Sequence, residues 1–274
     1  MQRKKLLGSI TLLLLLTVLN PQIALAWGPQ GHAEVGMLAL QELDPTASKW
    51  IRDLLGEDDV AAINKACNWP DHVRETSEWS WSAPQHYVNI PRSASHYDRQ
   101  RDCPDGLCVT EAIKKYANKL AQAQQDKREQ WESFAWLCHL VGDLHQPLHA
   151  GYRDDLGGNS VKVSYKGESM NLHQFWDRTV IRENLDAHGQ WQKPDLSINA
   201  TPANKSWNPT ETNSWTDESH RLAAEAAYPD AKVIRAEFAE NGWLLIRQQW
   251  VRAGERLAWI LNSVIGEGEV NLEP

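Results

Sequence analysis

Two His-x-x-x-Asp pairs constrain this chain more than anything else in it. The first lies in His139-Leu-Val-Gly-Asp-Leu-His-Gln-Pro-Leu-His149, the second in Asn171-Leu-His-Gln-Phe-Trp-Asp177. On a helix, residues four apart share a face, so each pair aims an imidazole and a carboxylate at one point. With His149 between them, the two pairs read as ligands for more than one metal ion. Mixed imidazole and carboxylate ligands favour zinc; ligand type alone leaves manganese and iron open.

The first 26 residues read as a secretory signal. Arg3, Lys4 and Lys5 are basic, Leu6 to Leu19 is apolar, and Ala24-Leu25-Ala26 is a small-x-small cleavage site. A membrane anchor is the alternative, disfavoured by the short apolar run and by Asn20-Pro21. Cleavage would make Trp27 the N-terminus. Its α-amine and carbonyl oxygen can chelate a metal in a five-membered ring, with His32 close by. The competing reading is that Trp27 and His32 simply begin a core helix.

Residues 27–274 read as one domain, with no Gly-, Ser- or Pro-rich linker and no repeat. Without the three signal cations, 25 Lys and Arg face 36 Asp and Glu, a balance of −11. That balance argues against bulk phosphate binding by lysine and arginine. It leaves room for a phosphate held by metal. Cys103-Pro-Asp-Gly-Leu-Cys108 suits a local disulfide in an exported chain. Cys67 and Cys138 either pair or are two small buried residues.

Helical periodicity dominates. Apolar stripes predict helices after His32, over Ser48–Leu55 with Asp44-Pro45 before it, and over Asp58–Cys67. Others are expected behind a Thr110 cap, through Trp131 to Asp143 as far as the break at Pro147, over Leu172–Arg182 and Thr216–Ala227, and across most of Ala231–Asn262. Val161–Tyr165, Lys166-Gly167 and Glu168–Asn171 predict a hairpin. The fold class is all-α with one small hairpin. Of the fourteen tryptophans, most belong to packing, and a few can offer flat faces to bases.

Taken together, Trp27-Gly-Pro-Gln-Gly-His32, Asn68-Trp-Pro-Asp71 with Arg74, His86-Tyr-Val-Asn89, His139-x-x-x-Asp143, His149 and Asn171-Leu-His173-x-x-x-Asp177 resemble the S1/P1-type zinc-dependent nucleases, within the phospholipase C/P1 nuclease superfamily. The resemblance runs from Trp27 to about Asp177 and more weakly beyond. It implies three zinc ions. Asp71, His86, His139 and Asp143 would hold one, and His149, His173 and Asp177 a second. Trp27, His32 and a bridging Asp143 would hold the third. It further implies an endonuclease in which activated water attacks phosphorus in line, with Asp71 and Arg74 at the reacting phosphate. Tyr87 would stack on a base and Asn89 would bond the base edge. Many relatives carry Asp at the place of Asn89, so base preference stays open. Gly157-Gly158-Asn159 would line the cleft or form a plain turn before the hairpin.

The implied substrate is single-stranded DNA or RNA, or nucleotides, cut to 5′-phosphate products, with a 3′-nucleotidase activity beside it. The implied location is secreted or periplasmic, without stable membrane association and with no protein partner inferred. A zinc phospholipase C shares the fold, but that family has Glu where this chain has Asp177. A non-catalytic zinc-binding protein would have no use for Arg74 or Tyr87. His72, His96, His145, His188 and His220 match no ligand position, although His145 is near enough to support the site. Asn199 and Asn204 are glycan acceptors in form only.

Overall fold

The computed structural model describes residues 27–56, 59–122, 126–185, 191 and 206–266. The signal segment, the two glycan sequons, His188 and the expected helix start at Asp58 lie outside the described residues.

Helices α1 (Gly28–Gln41), α3 (Asp59–Val73), α6 (Lys127–Leu144) and α10 (Ala236–Gly266) form the centre. α1 packs on α3, α6 and α10, and α5 (Val109–Leu120) packs on α6. Small residues set these approaches. A Cβ on Gly36 would lie 2.6 Å from Ile63 and 2.8 Å from Cys67, and one on Gly254 would lie 2.5 Å from Leu38. Side chains there would force the helices apart. From Ser133 to Leu144 every residue of α6 is buried. It is therefore the central helix, and it carries His139 and Asp143.

The periphery follows the sequence signals. α2 (Pro45–Leu55) starts behind Asp44, whose carboxylate accepts the Ala47 N–H at 2.8 Å. α6 starts in a capping box built by Asp126 and Glu129. α4 (Arg99–Asp102) is one turn. After α6, a 3₁₀ turn at Pro147–Ala150 leads toward an antiparallel hairpin, β1 (Lys162–Tyr165) and β2 (Glu168–Asn171), paired Lys162 to Asn171. Then α7 (Leu172–Gln174), a π-turn at Phe175–Thr179 and α8 (Val180–Asn184) make one bent helical segment. α9 (Glu211–Leu222) continues as a π-turn through Ala227.

Two expectations need correction. Thr110 does not cap α5. Cys108 occupies that place, because its disulfide to Cys103 fixes the turn there. Thr110 is the second helical residue, buried, with its hydroxyl 2.8 Å from that of Thr216. α3 does not stop at Cys67 but runs through Pro70 to Val73. Pro70 costs one helical hydrogen bond, yet the turn continues, with Arg74 N–H bonded to Pro70 O at 3.1 Å.

Cys67 pairs with Cys138, a bond between residues 71 apart in sequence that joins α3 to α6. Cys103 and Cys108 also pair. No helix among the described residues is long and apolar enough to cross a membrane.

Candidate metal centre

Five histidines and three aspartates from six segments converge at the centre of the helical layer. His32 comes from α1, Asp71 from α3, His139 and Asp143 from α6. His86 ends the 3₁₀ segment Ser80–His86, His149 lies on the turn after α6, and His173 and Asp177 flank the α7 boundary. All eight are buried. Three groups of ligand atoms each lie within 4.8 Å of one another: His32, Asp71 and His139; His86, His139 and Asp143; His149, His173 and Asp177. His32 Nε2 is also 3.5 Å from Asp143 Oδ1. Asp143 thus faces both the His86–His139 group and His32.

Main-chain carbonyls orient the rings. His139 Nδ1 donates to Cys67 O at 2.8 Å, His149 Nδ1 to His86 O at 2.6 Å, and His173 Nδ1 to Gly157 O at 2.6 Å. A proton on Nδ1 leaves a bare lone pair on Nε2 in the neutral ring. The His149 and His173 Nε2 atoms then face each other at 3.2 Å, lone pair to lone pair. Only a shared cation makes that arrangement favourable, and a carbonyl behind each ring is the usual support of a metal-binding histidine. Buried Asp143 Oδ1 and Asp177 Oδ2 have no hydrogen-bond partner. Buried polar atoms of that kind are costly unless a ligand satisfies them.

Charge tells the same story. Burial pushes His32 down to about 3, with His139 adding to the effect. Burial and then His149 push His173 down to about 3. Both rings are neutral, the form that binds metal. Burial drives Asp177 well above the usual carboxylate range. Burial would do the same to Asp143, but His139 and His149 hold it well below. In His139 burial is outweighed by Asp143 and Asp71, which raise it. Arg74, itself buried, stands 3.2 Å from Asp71 Oδ1. Divalent cations supply the charge that three buried carboxylates lack, so the residues fit a cluster of metals.

Trp27 is fully buried at the edge of this group. Its indole N–H donates to Gly142 O at 2.7 Å, and its ring meets Trp250 edge-on at 6.1 Å. Its φ of 34° lies in the left-handed region, unusual for a side chain of this size. The indole is thereby anchored on the residue next to Asp143. Tyr87 is 42 % exposed, the open aromatic beside a ligand. It shares with Asn89 and Arg153 the lining of a surface cavity of about 340 Å³. Asn159 turns back on its own loop, its amide donating to Leu156 O at 2.9 Å. The backbone of Gly157, not the Asn159 side chain, is what touches His173.

Four supporting residues lie outside the ligand set read from the sequence. Gln146 donates to Asp177 Oδ1 at 2.7 Å and accepts Leu148 N–H at 2.6 Å. Its position inside the His139–His149 motif is the one available signal. Asp155 holds the Gly157–Gly158 loop. Its Oδ1 accepts Gly158 N–H at 2.7 Å and the Tyr228 hydroxyl at 2.9 Å, and Oδ2 accepts from Arg92 at 2.9 Å. Trp136 backs His86 at 5.6 Å. Asn68 donates to Pro29 O at 3.0 Å and ties α3 to the start of α1. His145 lies away from the ligands, with Nδ1 on Val141 O and Nε2 on Arg256. His220 is a buried brace between Ala150 O and Ala94 O.

The S1/P1 nuclease family model matches residues 27–266. Endonuclease 3 of Arabidopsis thaliana is 28 % identical over 93 % of this chain and 94 % of its own length. Endonuclease 5 of the same plant is 31 % identical over 88 % and 91 %. Nuclease P1 of Penicillium citrinum is 31 % identical over 59 % of this chain and 61 % of its own. A match across the whole helical unit, ligands included, means that the chain belongs to the S1/P1 nuclease family and is an enzyme that hydrolyses phosphodiester bonds in nucleic acid.

Proposed function

We propose that this enzyme is an exported, zinc-dependent nuclease of single-stranded DNA and RNA that yields 5′-phosphate products and also acts on 3′-nucleotides. The domain proposed to carry the activity starts at Trp27, after removal of residues 1–26. Nine residues would hold three zinc ions. Asp71, His86, His139 and Asp143 would hold one, His149, His173 and Asp177 another. Trp27, through its freed amine and carbonyl, would hold the third with His32 and Asp143. The observation that carries this reading is the opposed pair of unprotonated Nε2 atoms on His149 and His173.

Bound zinc would supply a water nucleophile acidic enough to ionise near neutral pH. The chain's own residues do the rest. Asp71 and Asp143 keep the rings of His86 and His139 in place by charge. Arg74, buried and anchored on Asp71, presents N–H groups to phosphoryl oxygens as negative charge grows on them. Tyr87 stacks on one base, and the Asn89 amide can give or take a hydrogen bond at its edge. A base is open to stacking only in an unpaired strand, which is the basis of the single-strand preference.

The test is hydrolysis of single-stranded DNA, duplex DNA and phosphatidylcholine by protein purified without chelator, with metal content measured in parallel. The expected result is three zincs, cleavage of the single strand first, and loss of activity in chelator with recovery on zinc. One zinc per chain would overturn the cluster. Cleavage of lipid alone would overturn the substrate.

A further inference from the structure

Six residues before Tyr87 the same 3₁₀ segment carries Trp81, 45 % exposed. It is the one tryptophan among the described residues that presents so much surface. Its inner face is stacked on Trp79 at 5.8 Å and 26°. Trp79 rests on Trp136 at 5.7 Å, and Trp136 backs the ligand His86 at 5.6 Å. Trp69 braces Trp79 and Trp136 edge-on at 5.2 and 6.1 Å. The outer ring is therefore a rigid plate on an aromatic stack rooted beneath the metal ligands. A pre-ordered ring costs little to bind against.

Helix α5 links this plate to Tyr87. Val109, its first residue, donates its N–H to Tyr87 O at 3.2 Å. Six residues along, Lys115 places its ammonium 5.1 Å from the Trp81 ring centroid. At 1.5 Å per residue that is about 9 Å along the axis. Lys119 follows one turn further, and both side chains are exposed. Neither makes a salt bridge among the described residues, although the chain carries a net −8. Lys115 holds its ammonium over the Trp81 ring, and Lys119 holds its own over the neighbouring Tyr116 ring. A flexible ammonium can swing aside for a base and meet its phosphate, so ring and cations together suit a single strand, in which bases stack and phosphates meet cations.

We propose that Trp81, backed by Trp79 and flanked by Lys115 and Lys119, is a second base-stacking subsite that binds the single-stranded substrate beyond the base held at Tyr87. It rests on the single-strand reading above and adds a strand-length dependence to it. Short substrates that fill only the Tyr87 side do not reach the plate. Longer ones do and bind more tightly, with the bond that is cut unchanged.

Zinc-loaded enzyme is assayed on thymidylyl-thymidine and on a twelve-nucleotide oligothymidylate. The wild type is expected to show a lower KM for the longer strand. Trp81→Ala should raise that KM about tenfold, which is about 1.4 kcal/mol, with kcat held and dinucleotide kinetics unmoved. Trp81→Phe should restore KM to within about twofold, since it keeps a ring. Lys115→Ala should reduce the slope of log KM against log salt by about 0.7, because one fewer phosphate is neutralised. Dinucleotide turnover in each variant reports that the metal centre is folded. A twelve-nucleotide KM that stays put in Trp81→Ala overturns the subsite and leaves the nuclease reading standing. So does an equal rise for both substrates, or failure of Trp81→Phe to rescue. Absence of oligonucleotide cleavage by the wild type would instead defeat the single-strand reading itself.

Discussion

Gly142→Ala separates two forces that act in opposite directions. Gly142 lies in the last turns of α6, next to Asp143, in ordinary helical geometry. Alanine there is favoured over glycine by about 1 kcal/mol of helix propensity. The space, however, is already taken. A Cβ on Gly142 would stand 2.8 Å from His32 Nδ1 and 3.3 Å from its Cε1. That is about 0.7 Å inside the roughly 3.5 Å at which non-bonded atoms rest. His32 has nowhere to go, because its other side is stacked on His139 at 3.8 Å. Overpacking of this kind costs about 1–3 kcal/mol. Metal–ligand distances tolerate shifts of only about 0.2 Å, so the displacement exceeds the tolerance several-fold. The expected protein melts lower than wild type, binds two zincs where the wild type binds three, and has kcat reduced by at least about tenfold. Differential scanning calorimetry, elemental analysis and single-strand cleavage measure the three effects. If propensity wins instead, Tm rises by about 2–4 °C for a domain of this size. A higher Tm with three zincs and normal turnover would refute the claim that His32 is a ligand held by this contact.

Other perturbations address single roles. One extra residue before Trp27 in the processed protein should remove one zinc and most of the activity, since the buried indole leaves the amine one fixed position; elemental analysis checks it. Asp143→Asn should lose more metal than Asp177→Asn, because Asp143 approaches His32, His86 and His139 while Asp177 serves His173. Three bound metals in Asp143→Asn would end the bridging role. Tyr87→Ala should weaken oligonucleotide binding by about 10–100-fold, from roughly 1–3 kcal/mol of stacking, with zinc content unchanged; equilibrium binding to zinc-loaded protein at low temperature reads it. Asp155→Asn keeps the size but loses an acceptor facing Gly158, Tyr228 and Arg92. One unmet donor costs about 1–3 kcal/mol, so Tm should drop by a few degrees while zinc content stays at three.

The clustered His and Asp side chains were legible as candidate ligands because metal chemistry restricts such candidates to a few residue types, and helix geometry restricts the spacing of two pairs. The helices were legible where one face is buried, as in α1 and α5. What orients the ligands was not legible. Three rings are held by the carbonyls of Cys67, His86 and Gly157. Every residue has a carbonyl, so no letter in the sequence marks these three. The pairing of Cys67 with Cys138 was open for a related reason. A separation of 71 residues says nothing about distance until α3 and α6 are packed side by side. Cys103 and Cys108, five apart around turn residues, carried their own geometry. α10 starts at Ala236, inside the stretch Ala231–Asn262, most of which reads as helical.

The Cys67–Cys138 bond has a further consequence. Cys67 is joined to α6 twice, by its sulfur to Cys138 and by its carbonyl to the ring of His139, the very next residue. Closing a loop of this length removes about 4 kcal/mol of freedom from the unfolded chain on the entropic account. It also sets the carbonyl where the imidazole needs it. Oxidation of the thiols and capture of zinc are then thermodynamically coupled, and the coupling runs both ways. With zinc held as proposed, protein with its thiols reduced would bind it more weakly, and zinc-filled protein would resist reductants better than the empty form. A chain that meets oxidant first becomes a ready acceptor for metal. One that meets metal first, with its thiols free, offers zinc two cysteine ligands in the wrong place.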